Sequence, residues 1–283
     1  MPEPRKSIFA QYPVTAYFGL TFLVSWSGAL AVASPHLLRH EPLPQLTGIL
    51  MFPAMLLGPS VVGLVLTRVV DGTSGLRELR ARILRARTSA RRYVALAIPP
   101  MLILGVLFLL DRLVSPVYAP NFFAIGILFG IPAGLLEEIG WMGFAFPKMR
   151  ASSTPLVASV ALGLFWATWH LPVVNYLGTA TPHGAYWFPY FVAFGAAMTA
   201  MRVLICWIYT HTKSVLLAQL MHISSTGSLV VFSASRVTPR QEVLWYAVYA
   251  VALWLVVGIV VRRYGKNLAS GAEDPTAPAH SDL

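Results

Sequence analysis

Two adjacent carboxylates, Glu137 and Glu138, stand in the run Leu135-Leu136-Glu137-Glu138-Ile139-Gly140-Trp141-Met142-Gly143-Phe144, whose other residues are suited to lipid. A carboxylate at the centre of a spanning helix is disfavoured by about 2.5 kcal/mol or more, so it marks a functional site and demands a partner. Two later apolar runs each supply an imidazole. In Phe165-Trp166-Ala167-Thr168-Trp169-His170-Leu171-Pro172 the histidine comes late. Pro172 removes a backbone hydrogen bond just after it, which predicts a kink that opens towards a cavity. In Gln219-Leu220-Met221-His222-Ile223-Ser224-Ser225-Thr226, His222 and Thr226 share a helix face, with Gln219 and Ser225 close to it. Taken singly, His170 reads first as a satisfied bundle residue or an interface anchor, and the hydroxyls and Gln219 as interhelical hydrogen-bonding groups. Taken together, a carboxylate and an imidazole activate a water as general base, and further donors stabilise the oxyanion formed when that water attacks a carbonyl. That is the chemistry of amide hydrolysis. Glu137, His170 and His222 also fit a zinc site with an open position for water. No His-Glu-x-x-His lies on one helix, because His40-Glu41 is followed by Pro-Leu-Pro in an external loop. The primary expectation is therefore a site without a cofactor, with zinc at those three residues as the lesser reading.

The elements that must position these groups are membrane spans. The chain is 57% hydrophobic and 11% charged, whereas a soluble domain is about 25% charged. Eight apolar runs, at about 14–34, 46–69, 93–114, 122–146, 157–174, 187–210, 214–232 and 243–261, each approach the roughly 20 residues that a bilayer requires. The expected fold is all-α, a polytopic bundle of about eight transmembrane helices over residues 1–267, with a disordered cytoplasmic tail at 268–283 rich in Ala, Pro, Ser and Asp. The first run lacks a small-residue cleavage site and reads as a retained helix. The single cysteine, Cys206, excludes an internal disulfide and a thiolate cluster.

The net charge of +10 is organised by side. Of the 21 Lys and Arg, Arg39, Arg112, Arg236 and Arg240 fall in connections on one side, Arg202 falls within the sixth run, and all others fall on the opposite side. That bias places both termini in the cytoplasm and assigns the charge to topology and lipid headgroups rather than nucleic acid. The Arg-rich stretch 76–93 reads as a topology-setting loop whose charge stays in water, with a lipid-binding amphipathic helix as the other reading.

At these residues the sequence resembles the CAAX protease and bacteriocin-processing family, intramembrane endopeptidases related to type II CAAX prenyl proteases, over about residues 122–232. The family's two Glu, three residues, then Arg are matched by Glu137-Glu138, with Met142 in the Arg position. Its Phe, three residues, then His are matched by Trp166 and His170, with Trp in place of Phe. Its His, three residues, then Asn or a similar polar group are matched by His222 and Thr226. The resemblance implies that Glu137 and His170 bind and activate the water, that His222 and Thr226 hold the oxyanion, and that Glu138 is structural. Without an arginine at Met142, Glu138 needs another cation, and Arg202 is the candidate because it too needs a buried partner.

The expectation is thus a membrane-embedded peptidase that cuts a peptide or membrane-protein substrate near the cytoplasmic side, Glu137 and His222 lying about 15 Å from that face along straight helices. A catalytically silent family member acting as an immunity or membrane interaction protein is the alternative, permitted by the lost arginine. A proton-coupled carrier is a third reading, which no inverted repeat supports. The Ala- and Arg-rich composition suggests a bacterial chain in the cytoplasmic membrane, for which prenylated proteins are not the expected substrates.

Overall fold

The computed structural model describes residues 7–269, and every regular element among them is helical. Arg5, Lys6 and all of the expected tail from residue 270 onwards lie outside the described residues. Leu268, at the start of that tail, is buried in the core.

Among the described residues nine helices carry the architecture: α1 Pro13–Leu38, α2 Gln45–Met55, α3 Leu57–Ile83, α4 Ile98–Leu113, α5 Ile127–Gly140, α6 Pro155–Trp169, α7 Trp187–Thr212, α8 Val215–Val231 and α9 Pro239–Tyr264. Six stretches are long and apolar enough to cross a membrane: Pro13–Leu38, Gln45–Ile83, Ala90–Leu113, Ala124–Met149, Gly184–Thr212 and Pro239–Asn267. Shorter apolar helices, α6 and α8, occupy the fifth and seventh expected runs. The chain is a polytopic helical membrane bundle.

Local sequence explains the limits of α6 and the start of α9. Thr154 caps α6 by accepting from the Val157 N–H, and Pro155 takes the first position, where its missing N–H costs nothing. The helix stops at Trp169 because Pro172 cannot continue it. Thr238 and Gln241 form a reciprocal capping box at the start of α9. After α5 the backbone loosens into a π-helical turn, Trp141–Ala145, before the last helical residues Phe146–Met149.

In the Arg-rich stretch Arg77, Arg80, Arg85, Arg87 and Arg91 are exposed, but its first part is helical rather than a loop and Arg82 is drawn inward. Helix α3 continues to Ile83 past a break at Gly72, whose φ of 72° suits glycine. Leu79 is buried, and Ile83, one turn on, packs against the core. Arg82 donates to the Tyr209 hydroxyl at 2.7 Å and to the Gly143 carbonyl at 3.0 Å, within the π-helical turn. Counting arginines could not reveal this, because the carbonyl that holds Arg82 belongs to a distant helix.

Helix α7 is the centre of the bundle and is buried almost continuously from Ala197 to Thr210. Around it, α5 and α8 pack closely. The glycines Gly126, Gly130 and Gly134 recur every fourth residue and face α8. A Cβ on Gly130 would lie 2.7 Å from the Gly227 nitrogen, and one on Gly134 would lie 2.7 Å from the Gln219 carbonyl oxygen. Lipid supplies little hydrophobic drive for helix association, so such backbone approach is the means of holding spans together. Gln219 adds a 2.8 Å hydrogen bond from its side-chain amide to the Leu135 carbonyl. This contact sets the carboxylates on α5 beside the imidazole on α8.

Gly130→Ala should therefore lower the thermal unfolding temperature of the purified protein, at a cost of about 1–3 kcal/mol from overpacking. Gly105→Ala on α4, where a Cβ meets nothing within 4 Å, should leave it unchanged or raise it slightly. Equal behaviour of the two variants would remove the packing argument.

Candidate active site

Successive residues of a helix point about 100° apart, so Glu137 and Glu138 face different neighbours although they are adjacent in sequence. Both are fully buried. Glu138 faces α7, where Arg202 Nη1 donates to its two oxygens at 2.7 and 2.8 Å. His222 Nδ1 on α8 donates to Glu138 Oε1 at 2.7 Å. The Arg202 guanidinium also lies over the Trp166 ring, 4.0 Å from its centroid, so its apolar face meets a π-system. Three helices meet on this one carboxylate.

Met142 occupies the position where the family motif carries arginine, and its sulfur lies 3.8 Å from Cys206 Sγ. Cys206 is one helical turn beyond Arg202. The cation that α5 lacks is thus supplied by α7, which points at the same carboxylate.

Glu137 faces α6. Its Oε2 accepts from Trp166 Nε1 at 2.7 Å and from Trp141 Nε1 at 3.1 Å, while Oε1 has no hydrogen-bonding partner among the described residues. The two indoles therefore fix the carboxylate without occupying both of its oxygens. His170 caps the C-terminus of α6, and its Nδ1 donates to the Trp166 carbonyl at 2.8 Å. A carbonyl only accepts, so Nδ1 carries the hydrogen and Nε2 is the acceptor of a neutral ring. At His222 the Nδ1 hydrogen goes to the Glu138 carboxylate, an arrangement open to the neutral and the protonated ring alike, and Nε2 is left to the cavity.

Glu137, His170, His222 and Thr226 all line one cavity of about 190 Å³. That is room for several waters. Its remaining walls are mostly apolar and aromatic, including Phe52, Phe194, Met198, Trp245 and Tyr246. Glu138 and Arg202 are absent from the lining and stand behind it. The cluster has a carboxylate and two imidazoles at the cavity, supported by a buried ion pair that is not exposed there.

Two contributors escape a reading of the sequence alone. Trp166 enters there only as an imperfect Phe, yet it donates to Glu137, accepts from His170, stacks under Arg202 and meets the His222 ring edge-on at 5.1 Å. Its polar N–H, which Phe lacks, was the available signal. Glu242, in the first turn of α9, also lines the cavity. It accepts from the Thr179 and Ala180 N–H groups at 2.8 and 2.9 Å and from His183 Nε2 at 3.0 Å, so it fastens the 170–186 connection to α9. Gly178, at φ 91°, lies so close that a Cβ would collide with this carboxylate. Acidic residues are ordinary at helix starts, so nothing in the sequence distinguished Glu242.

Among the described residues no group of three or more His, Cys, Asp or Glu is spaced to hold a metal ion. The zinc reading of Glu137, His170 and His222 gains no support from that arrangement.

The buried Glu and His set in a polytopic helical bundle lies in a segment that is similar to CAAX-type intramembrane proteases. Residues 118–227 match the family model described as type II CAAX prenyl endopeptidase Rce1-like. A curated relative, CAAX prenyl protease 2 of Methanococcus maripaludis, is 30% identical over 94 residues, which are 32% of this chain and 34% of that protein. The chain thus matches about a third of the relative's length. The segment matched by the family model contains Glu137, Glu138, His170, Arg202, His222 and Thr226, so the resemblance to the CAAX protease and bacteriocin-processing family is shown where the site lies.

Removing one partner of a buried pair leaves an uncompensated charge, at a cost of about 3–5 kcal/mol. Arg202→Met should therefore destabilise the purified protein severely in a thermal unfolding assay. Adding Met142→Arg should recover part of the loss by returning a cation to Glu138 from α5. Failure of the double variant to exceed the single one would show that the two positions do not serve the same carboxylate.

Proposed function

We propose that the protein is an intramembrane endopeptidase in which Glu137 and His170 activate a water and His222 and Thr226 hold the oxyanion. The observation that carries this reading is the division of the Glu137 carboxylate, with one oxygen fixed by two indole N–H groups and the other without a partner among the described residues, on a cavity shared with two imidazoles and a hydroxyl. The geometry suits a base that must be held still and yet remain able to take a proton.

In this scheme Glu137 accepts a proton from a water that is also hydrogen-bonded to His170 Nε2, and the water oxygen adds to the peptide carbonyl carbon. The electron pair displaced onto the carbonyl oxygen is stabilised by donors from His222 Nε2 and Thr226 Oγ1. As the C–N bond breaks, Glu137 returns the proton to the leaving nitrogen. His222 donates through both ring nitrogens at that moment, so it acts as an imidazolium. Its charge and that of Arg202 balance the two carboxylates, which leaves the buried set without net charge.

The silent-member reading rested on the missing arginine at Met142. Arg202 fills that need at Glu138, which favours the enzyme. The proposed setting is a bacterial cytoplasmic membrane, and the partners are the bilayer and a peptide or membrane-protein substrate.

The test is cleavage of a fluorogenic peptide library by the purified protein in detergent or lipid. A general base contributes about 10²–10⁴-fold, so Glu137→Gln should lower the rate by at least that lower figure. Trp166→Phe keeps the ring but removes one hydrogen bond to a charged group, worth about 1.5–3 kcal/mol, and should cost about 10–100-fold. Cleavage that persists with a chelator supports the reading without metal. Loss of cleavage on chelation, with bound zinc, would replace it with the zinc reading, and activity retained in Glu137→Gln would overturn the role of that carboxylate.

A further inference from the structure

The basic connections and the cavity lie at opposite ends of the bundle. Helix α5 and its extension run towards Lys148 and Arg150, α7 ends beside Lys213, α8 starts just after it, and α9 ends at Arg262 and Arg263. From the level of Glu137 and His222, the cavity wall continues in the other direction. It takes in Leu177 and Thr179 of the 170–186 connection, Ser233 and Val237 of the α8–α9 connection, and Glu242 at the start of α9. None of its lining residues comes from a basic connection.

Towards the basic end the site is closed by packed side chains. Glu138, Arg202, Trp141, Met142 and Cys206 are fully buried behind the cavity, and Arg82 closes over the π-helical turn beneath them. A peptide arriving from that end would have to break the ion pair that supports the site. At the opposite end the wall is made by two connections, the one held by Glu242 and the one between α8 and α9 that carries Ser233 and Val237.

We infer that substrate enters from the face opposite the basic loops, so the protein acts on apolar peptide segments presented at the non-cytoplasmic side of the membrane. This rests on the peptidase reading for the act of cleavage, but the side does not depend on it. It reverses the expectation of cleavage near the cytoplasmic face. Depth counted along straight helices gives the distance of a group from a face, but not the end at which its cavity opens. Basic loops fix the side, because Lys and Arg are retained in the cytoplasm. The lining beyond the polar groups, Phe52, Phe194, Met198, Trp245 and Tyr246, is suited to apolar side chains beside the scissile bond.

Cysteine labelling from each face decides the matter. Wild type is the blank, since its single cysteine, Cys206, is buried. Ser233→Cys at the cavity wall and Ser89→Cys in the exposed basic connection are treated with a membrane-impermeant maleimide in right-side-out and inverted vesicles. Ser233→Cys should label in right-side-out vesicles and Ser89→Cys in inverted ones, and a bulky adduct at Ser233→Cys should reduce peptide cleavage at least tenfold while one at Ser89→Cys leaves it unchanged. Labelling of both from the same face, or full cleavage by the Ser233→Cys adduct, would overturn the inference. If unlabelled protein cleaves no peptide, the peptidase reading fails, while the labelling pattern still reports the side.

Discussion

The Glu138–Arg202 pair is the constraint on which the rest depends. An arginine in the middle of a spanning helix is tolerable only if that helix is enclosed by protein and a carboxylate meets it, and α7 satisfies both conditions. With His222 donating to the same carboxylate, one ion pair fixes the relative position of α5, α7 and α8. A pair of this kind adds little net stability over well-packed apolar residues, because desolvation of both charges offsets their attraction. What it supplies here is registration. It spends Glu138 on structure and leaves Glu137, one residue earlier and turned about 100° away, on the cavity.

The backbone makes the same point in a different way. Helices that approach through glycine leave no room for sliding, so Gly126, just before α5, with Gly130 and Gly134 on it, holds Glu137 and Glu138 at one height against α8. Just beyond the carboxylates the chain loosens into a π turn, a feature frequent near functional sites. That turn carries Trp141, whose N–H reaches back to Glu137, and Gly143, whose carbonyl meets Arg82. A stretch expected to be a loop in water therefore braces the site from below.

Relocation of the arginine shows why a motif match and a site are different things. A pattern that requires Arg four residues after the second Glu fails at Met142. The physical requirement is only that a cation reach a buried carboxylate, and α7 meets it from Arg202. Trp166 carries a similar lesson, since it fills the place of Phe while its N–H takes up Glu137.

The sequence alone determined what solvent and charge dictate. Long apolar runs must be helical in a bilayer because no other open structure satisfies their backbone, the distribution of Lys and Arg orients them, and Glu137, Glu138, His170, His222 and Arg202 stand out because they are costly there. The need of Arg202 and Glu138 for each other was legible for that reason. Tertiary structure decided what depends on residues far apart in the chain: the indole hydrogen bonds that divide the Glu137 carboxylate, the π turn, the docking of Arg82 on that turn, and the Glu242 fastening of the 170–186 connection. It also decided which residues line the cavity, because periodicity and depth describe one helix at a time, whereas a cavity is the space left where several fail to meet.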